Sequence, residues 1–166
     1  MLEFGMEYDR PLAIRYPRGQ AYRGLKEFKQ PIEYGKGEML YGEADVALLA
    51  VGSMVSTGEH VREKLKSEGV SCSLANGRFV KPFDRELVDR LAEKHRLIVT
   101  MEENVLQGGY GLAVTAYIHE HFPQVKVLNI ALPDAYVEHG NVSVLRKELR
   151  IDSDSIIKFM KDGGWL

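Results

Sequence analysis

Asp45-Val46-Ala47-Leu48-Leu49-Ala50-Val51-Gly52-Ser53 is the stretch that decides the fold. Its apolar run, Val46 to Val51, is far too short to span a bilayer. It is also too continuous for a strand with one wet face, where apolar and polar residues alternate. A run of this length between a charged residue and a glycine reads as a strand buried on both faces. Gly52-Ser53 then leads into a helix over residues 54–68, with Val55, His60, Val61 and Leu65 as inner positions and Gly69 as its C-cap.

Downstream the alternation repeats. Residues 70–75 read as a strand. Pro82-Phe83-Asp84 opens a helix, with Asp84 as N-cap and Leu87, Val88 and Leu91 at helical spacing. Residues 97–101 form the next strand, and Gly108-Gly109 precedes a helix over 110–121. Residues 125–130 are a strand, and helices over 141–149 and 153–161 follow, capped by Asn141 and Asp152. Short connections between alternating strands and helices predict a mainly parallel sheet with helices on both faces. Upstream, Glu38-Met39-Leu40-Tyr41 reads as a short strand, and Gly42-Glu43 as a tight turn that makes a hairpin with the decisive strand. The expected fold is α/β: three layers around a mostly parallel five-stranded sheet with one antiparallel edge strand.

The remaining upstream residues have a different texture. Residues 12–16, Leu-Ala-Ile-Arg-Tyr, read as a strand ended by Pro17 and Gly19. Residues 21–36 carry Gly24, Pro31 and Gly35 without periodicity and read as a linker. Leu2, Phe4 and Met6 read as the end of a helix.

Composition narrows the function classes. The chain has 166 residues, 45% hydrophobic and 28% charged, which excludes a disordered or collagen-like protein. A formal charge of -2 gives no general attraction to nucleic acid or anionic membranes. The single cysteine, Cys72, permits no intrachain disulfide and lies in an apolar stretch that suits an inert thiol. The first ten residues carry acids where a signal peptide has bases. A cytoplasmic location is expected.

Arg15-Tyr16-Pro17-Arg18-Gly19 is the strongest chemical candidate. Two guanidiniums flanking a rigid proline at a strand end can present forked donors to a phosphate or carboxylate. Spacing alone favours a plainer reading, two surface arginines in ion pairs. Glu102-Glu103-Asn104 follows a strand, and Gly108-Gly109-Tyr110-Gly111 opens a helix. Such glycines can cradle an anion, but two acids repel one, so tight strand-to-helix packing is preferred. For the acids three roles stay open: cation ligand, helix cap, or contact with a partner subunit. The histidines at 60, 95, 119, 121 and 139 form no metal-binding spacing, and His139 reads as a loop residue.

Four blocks, in order, carry a family resemblance. Pro11 to Gly19 resembles the stretch leaving the pyrimidine-binding domain of the 1-deoxy-D-xylulose-5-phosphate synthase family. Arg78-Phe79-Val80-Lys81-Pro82-Phe83-Asp84 resembles its R-F-[VI]-K-P-[LF]-D segment. Residues 99–111 are similar to its T-x-E-E-N-x-x-x-G-G-[FY]-G segment. Residues 132–140 are similar to its G-[IL]-P-D-x-[FY]-[IV]-x-x-G segment, with Ala131 where glycine is usual. The resemblance implies a transferase of the transketolase superfamily that uses thiamine diphosphate and magnesium. Pyruvate loses CO2, and its two-carbon remainder joins glyceraldehyde 3-phosphate to give 1-deoxy-D-xylulose 5-phosphate, which feeds isoprenoid, thiamine and pyridoxal synthesis.

Only the family's C-terminal portion is matched. The G-D-G…N magnesium motif is lacking; Asp162-Gly163-Gly164 has neither the preceding glycine nor the downstream asparagine. The catalytic glutamate belongs to the pyrimidine domain, which is missing. Residues 1–20 are therefore expected to be a remnant of that domain, 21–36 a linker, and 37–166 a transketolase-type C-terminal domain that forms a homodimer with a second copy. No catalytic, cofactor-binding or metal residue is expected here, and the chain alone is expected to be inactive. The resemblance places the acceptor's phosphate on Arg18, with Arg15 a weaker candidate, and so reverses the preference drawn from spacing. A different reading is a free-standing assembly module or the small subunit of a split transketolase-like enzyme. A transketolase or a 2-oxoacid dehydrogenase β subunit shares the fold but fits the wording of the blocks less well.

Overall fold

Val46–Ala50 is the middle strand of a five-stranded sheet, and every residue in it is buried. The computed structural model describes residues 1–17 and 21–166. In chain order the elements are α1 (Leu2–Glu7), β1 (Glu38–Tyr41), β2 (Val46–Ala50), α2 (Met54–Ser67), β3 (Cys72–Asn76), α3 (Arg85–Lys94), β4 (Leu97–Val105), α4 (Tyr110–His121), β5 (Lys126–Leu132), α5 (Val142–Glu148) and α6 (Ser153–Asp162). The strand order is β1-β3-β2-β4-β5. All neighbours are parallel except β1 and β3, so the expected antiparallel edge strand is present.

The period of two in the strands separates two cores. Val46, Leu48 and Ala50 of β2 face one side with Leu74, Val99 and Met101, and meet Met54, Val61 and Leu65 of α2 and Ile156 and Met160 of α6. Ala47, Leu49 and Val51 face the other side and meet Leu87, Val88 and Leu91 of α3 and Val114 and Ile118 of α4. Each large aliphatic side chain buried this way contributes roughly 1.5–3 kcal/mol. The helix ends follow the sequence. Asp84 accepts from Leu87 N, Asn141 from Ser143 N, and Asp152 from Asp154 N and Ser155 N. Gly69 takes φ +86°. It thereby closes α2 with paired bonds, Gly69 N to Lys66 O and Val70 N to Leu65 O.

Three sequence expectations are corrected. β1 and β2 do not form a hairpin, because β3 lies between them. Residues 42–45 instead step across the start of β3, held by Glu43 N to Ser73 Oγ (2.8 Å), Cys72 N to Glu43 Oε2 (3.1 Å) and Asp45 N to Ser71 O (3.1 Å). Residues 12–16 join no strand ladder. They run unpaired, with Leu12 and Ile14 packed near Gly5 of α1. His60 is exposed rather than inward on α2, where Thr57, Gly58 and Arg62 share the buried face.

The described residues before β1 are fastened at several points. Phe4 of α1 meets Phe79 edge-on and stacks on Tyr8, which stacks on Tyr34. Arg78, in the left-handed region at φ +52°, forms an ion pair with Glu38 and donates to the carbonyls of Gln30 and Pro31 (3.1 and 3.0 Å).

Candidate functional site at the carboxyl ends of the strands

Open parallel sheets present ligand sites where their strands end. β4 runs longer than its neighbours. Its parallel pairing with β2 stops at Met101, and its register with β5 shifts between Met101 and Val105. Glu102, Glu103 and Asn104 thus leave the regular ladder while still inside the strand.

Glu102 turns inward and is 3% exposed. Its Oε2 accepts from Tyr110 N at 2.9 Å and its Oε1 from Gly111 N at 2.7 Å. These are amides of the first turn of α4, whose N-cap, Gly109, has no side chain to offer. The strand therefore caps the helix, supplying a carboxylate to the positive end of its dipole. The role left open between cation ligand, cap and partner contact is decided as cap. The glycines are needed for space: a Cβ on Gly109 would lie 2.7 Å from Glu102 Oε1, and one on Gly111 would lie 2.6 Å from Thr100 Oγ1. Tight strand-to-helix packing is the correct reading of the Gly-rich turn.

Glu103 points the other way and is half-buried. Its carboxylate accepts from Arg146 of α5 (Nη2 at 2.9 Å, Nε at 3.3 Å) and from Ser53 Oγ in the turn between β2 and α2. Its backbone carbonyl accepts from Arg15 Nη2 at 3.0 Å. Burial pushes the Glu103 carboxyl up, but the bonds from Arg146 and Ser53 and the charges of Arg146 and Arg15 outweigh it. The group is held below the usual glutamate value. Beside Arg146 lies a cleft of about 360 Å³, lined by Thr57, His60, Ser143, Asp152 and Ser153 among others. The arrangement holds an ionised acid among cations.

Of the residues expected to bind a phosphate, Arg15 is exposed and engaged with Glu103, whereas Arg18 lies outside the described residues. Cys72 is buried, and burial raises its thiol to about 12, so it is an unreactive core residue. His119, His121 and His139 are exposed, and His121 stacks on Tyr117. His95 is buried, with Nδ1 2.8 Å from Leu91 O and Nε2 2.9 Å from Ser73 Oγ. Reasoning from spacing missed Arg146 and Ser53. Each lies more than forty positions from Glu103, and neither belongs to a recognisable motif.

A mostly parallel sheet with an antiparallel edge, two helical layers and a polar cluster where the strands finish define a class. The chain belongs to the transketolase C-terminal domain family, whose model matches residues 35–156. It is 46% identical to the 1-deoxy-D-xylulose-5-phosphate synthase of Lachnoclostridium phytofermentans, over 95% of this chain and 25% of that protein. The synthase of Heliobacterium modesticaldum is 37% identical over 98% of this chain and 25% of its own length. The chain thus spans about a quarter of these curated relatives. Among solved structures, a "split gene transketolase, inactive beta4 tetramer" superposes with a TM-score of 0.74 at 26% identity, over 79% of this chain and 43% of that one. Transketolase from Campylobacter jejuni shares the fold, with a TM-score of 0.54 at 17% identity over 77% of this chain and 18% of its own. No helix among the described residues is long and apolar enough to cross a membrane.

Proposed function

We propose that these 166 residues are the C-terminal portion of a thiamine-diphosphate-dependent synthase. That enzyme condenses pyruvate with glyceraldehyde 3-phosphate, releasing CO2 and giving 1-deoxy-D-xylulose 5-phosphate. The observation that carries the reading is identity of up to 46% over nearly the whole chain to synthases four times as long. In this reading residues 1–20 belong to the pyrimidine-binding domain, 21–36 are a linker, and 37–166 form the C-terminal domain, which pairs with a second copy in a cytoplasmic homodimer. Arg18 binds the acceptor's phosphate and Arg15 supports it. A guanidinium suits that task because its forked donors match phosphate oxygens.

The start of α4 does not fit the cofactor's diphosphate. The amides at the start of α4 are already taken by Glu102. No group of three or more His, Cys, Asp or Glu side chains among the described residues is placed to hold magnesium. In this reading the cofactor is held by the preceding domains of a longer polypeptide, and this chain alone is proposed to be inactive. Its part is to shape the acceptor side of the site and to hold the assembly.

The test is synthase activity of the longer polypeptide and of the 166 residues alone, each with magnesium and thiamine diphosphate. Product from the first and none from the second supports the reading. Product from the isolated chain would sink it. Within the active enzyme, Arg18→Ala should impair use of glyceraldehyde 3-phosphate far more than use of pyruvate.

A second reading is the small subunit of a split transketolase-like enzyme, favoured by the superposition on a split-gene transketolase. The reading frame upstream of Met1 separates the two. A long in-frame extension containing G-D-G…N favours the synthase, whereas an adjacent stop codon favours the subunit.

A further inference from the structure

We infer that Glu103 is a positioning residue: it fixes the end of β4 so that its own carbonyl holds the arm carrying Arg15. The inference rests on the synthase reading for its enzymatic consequence and on the geometry alone for the holding itself.

Four observations carry it. First, the register shift after Met101 takes residue 103 out of the regular pairing with β5, and the pairing with β2 has already ended. A carbonyl released in this way needs another donor, and Arg15 supplies it at 3.0 Å. Second, a gap in the ladder, here between Met101 and Val105, where pairing with Leu132 resumes, is free to move unless something else fixes it. The Glu103 side chain does so through Ser53 on one side and Arg146 on the other, joining the turn after β2, the end of β4 and α5. The two-point contact with Arg146 sets direction as well as distance. Third, the arm is already fastened at its other end, where Phe4 of α1 meets Phe79 and Leu12 and Ile14 pack near Gly5. Arg15 is the second fastening and the one nearer Tyr16 and Pro17. Fourth, the carboxylate is committed to Arg146 and Ser53, so it is not poised to exchange a proton with a substrate.

Two fastenings fix the course of residues 4–15 along the domain; one would leave them free to pivot. In the synthase reading the arm continues directly into the residue assigned to the acceptor's phosphate. Glu103 and Arg146 would then tune acceptor affinity without touching the acceptor. Small displacements of a positioned group cost ten-fold or more in rate or affinity.

The experiment uses the longer polypeptide with Glu103→Gln, Arg146→Ala, Arg146→Lys and Arg15→Ala. The expected result for Glu103→Gln, Arg146→Ala and Arg15→Ala is a KM for glyceraldehyde 3-phosphate raised by about ten-fold. The KM for pyruvate and the use of unphosphorylated glyceraldehyde stay unchanged. Arg146→Lys recovers part of the loss, and the Arg15→Ala/Glu103→Gln double variant is no worse than the worse single one. Equal losses with phosphorylated and unphosphorylated aldehyde, or additive losses in the double variant, overturn the inference. Arg15 is exposed, so its variant folds even if a Glu103 variant does not.

A second measurement needs no activity. Trypsin cleavage after Arg15 in the 166-residue chain should accelerate several-fold in Glu103→Gln. An unchanged cleavage rate overturns the holding role. If the longer polypeptide makes no product at all, the synthase reading fails, while the cleavage rate still decides whether Glu103 holds the arm.

Discussion

The two ends of the sheet use the same polar vocabulary to opposite purposes. Where the parallel strands begin, Arg62 is 4% exposed and donates Nε to Cys72 O at 3.1 Å. It also pairs with Glu43 and Glu63 and lies 3.9 Å from the Tyr41 ring centre. His95 closes the same region against Leu91, Ser73 and the Glu43 carbonyl. Every one of these partners belongs to the domain itself. Where the strands finish, Glu103 is half-buried and its partners come from α5, the turn after β2 and the N-terminal arm. A closed knot stabilises; a knot that also ties the N-terminal arm aligns what it holds. Burial distinguishes them, because a partly solvated ion pair contributes little to folding while still fixing direction.

The sharpest way to break this contrast is Arg62→Ala. It removes a buried guanidinium with its bond to Cys72 O and leaves the half-buried Glu43 without its cation, and the expected loss is about 3 kcal/mol, the low end for a buried pair, read from the urea midpoint. A loss below that expected for Glu103→Gln would reverse the assignment of the two ends. Glu102→Ala comes next. It lies at the carboxyl end but is closed like the amino end, and it strands two buried amides of α4. About 2 kcal/mol is expected, with exchange of the Tyr110 and Gly111 amides speeding up before that of the sheet. Glu103→Gln should cost the least, about 1 kcal/mol or less.

Acid sharpens the comparison further. The folded value of Glu103 is lowered, so its contribution is complete above the ordinary glutamate value of 4.5 and fades as pH falls through the folded value. The acid limb of the stability profile should therefore be shallower in Glu103→Gln than in the parent chain. An identical limb would mean that the Arg146 pair contributes nothing.

Much of the architecture was legible because Val46 to Val51 can be only one thing, and because Asp84, Asn141 and Asp152 cap the helices their positions announce. The misreadings share a cause. Local signals describe what a segment prefers, not which neighbour it meets. Gly42-Glu43 looks like a hairpin turn, yet β1 pairs with residues 74–76. Residues 12–16 have strand composition but pair with neither edge of the sheet, and a strand without a ladder is not a strand. His60 sits at an inward-seeming spacing, but Arg62 takes the buried face through partners on β3 and before β2. At the site, Glu102 was readable as an acid beside a Gly-rich turn, and the cap was one of the roles left open. The hub at Glu103 was not readable, since Ser53 and Arg146 reach it only once three elements are packed.

The crossing made by residues 42–45 has a consequence in time. β1 has one sheet neighbour, β3, and Met39 meets Ala75. Glu43 and Asp45 are tied to Ser71, Cys72 and Ser73, all at or beside the start of β3. The first strand made thus cannot find its place early, because its seat does not exist until a segment some thirty residues later has joined β2. Pulse-labelled exchange during refolding should show β1 amides gaining protection after those of β2 and β3. Simultaneous protection would mean that β1 is captured as the sheet forms.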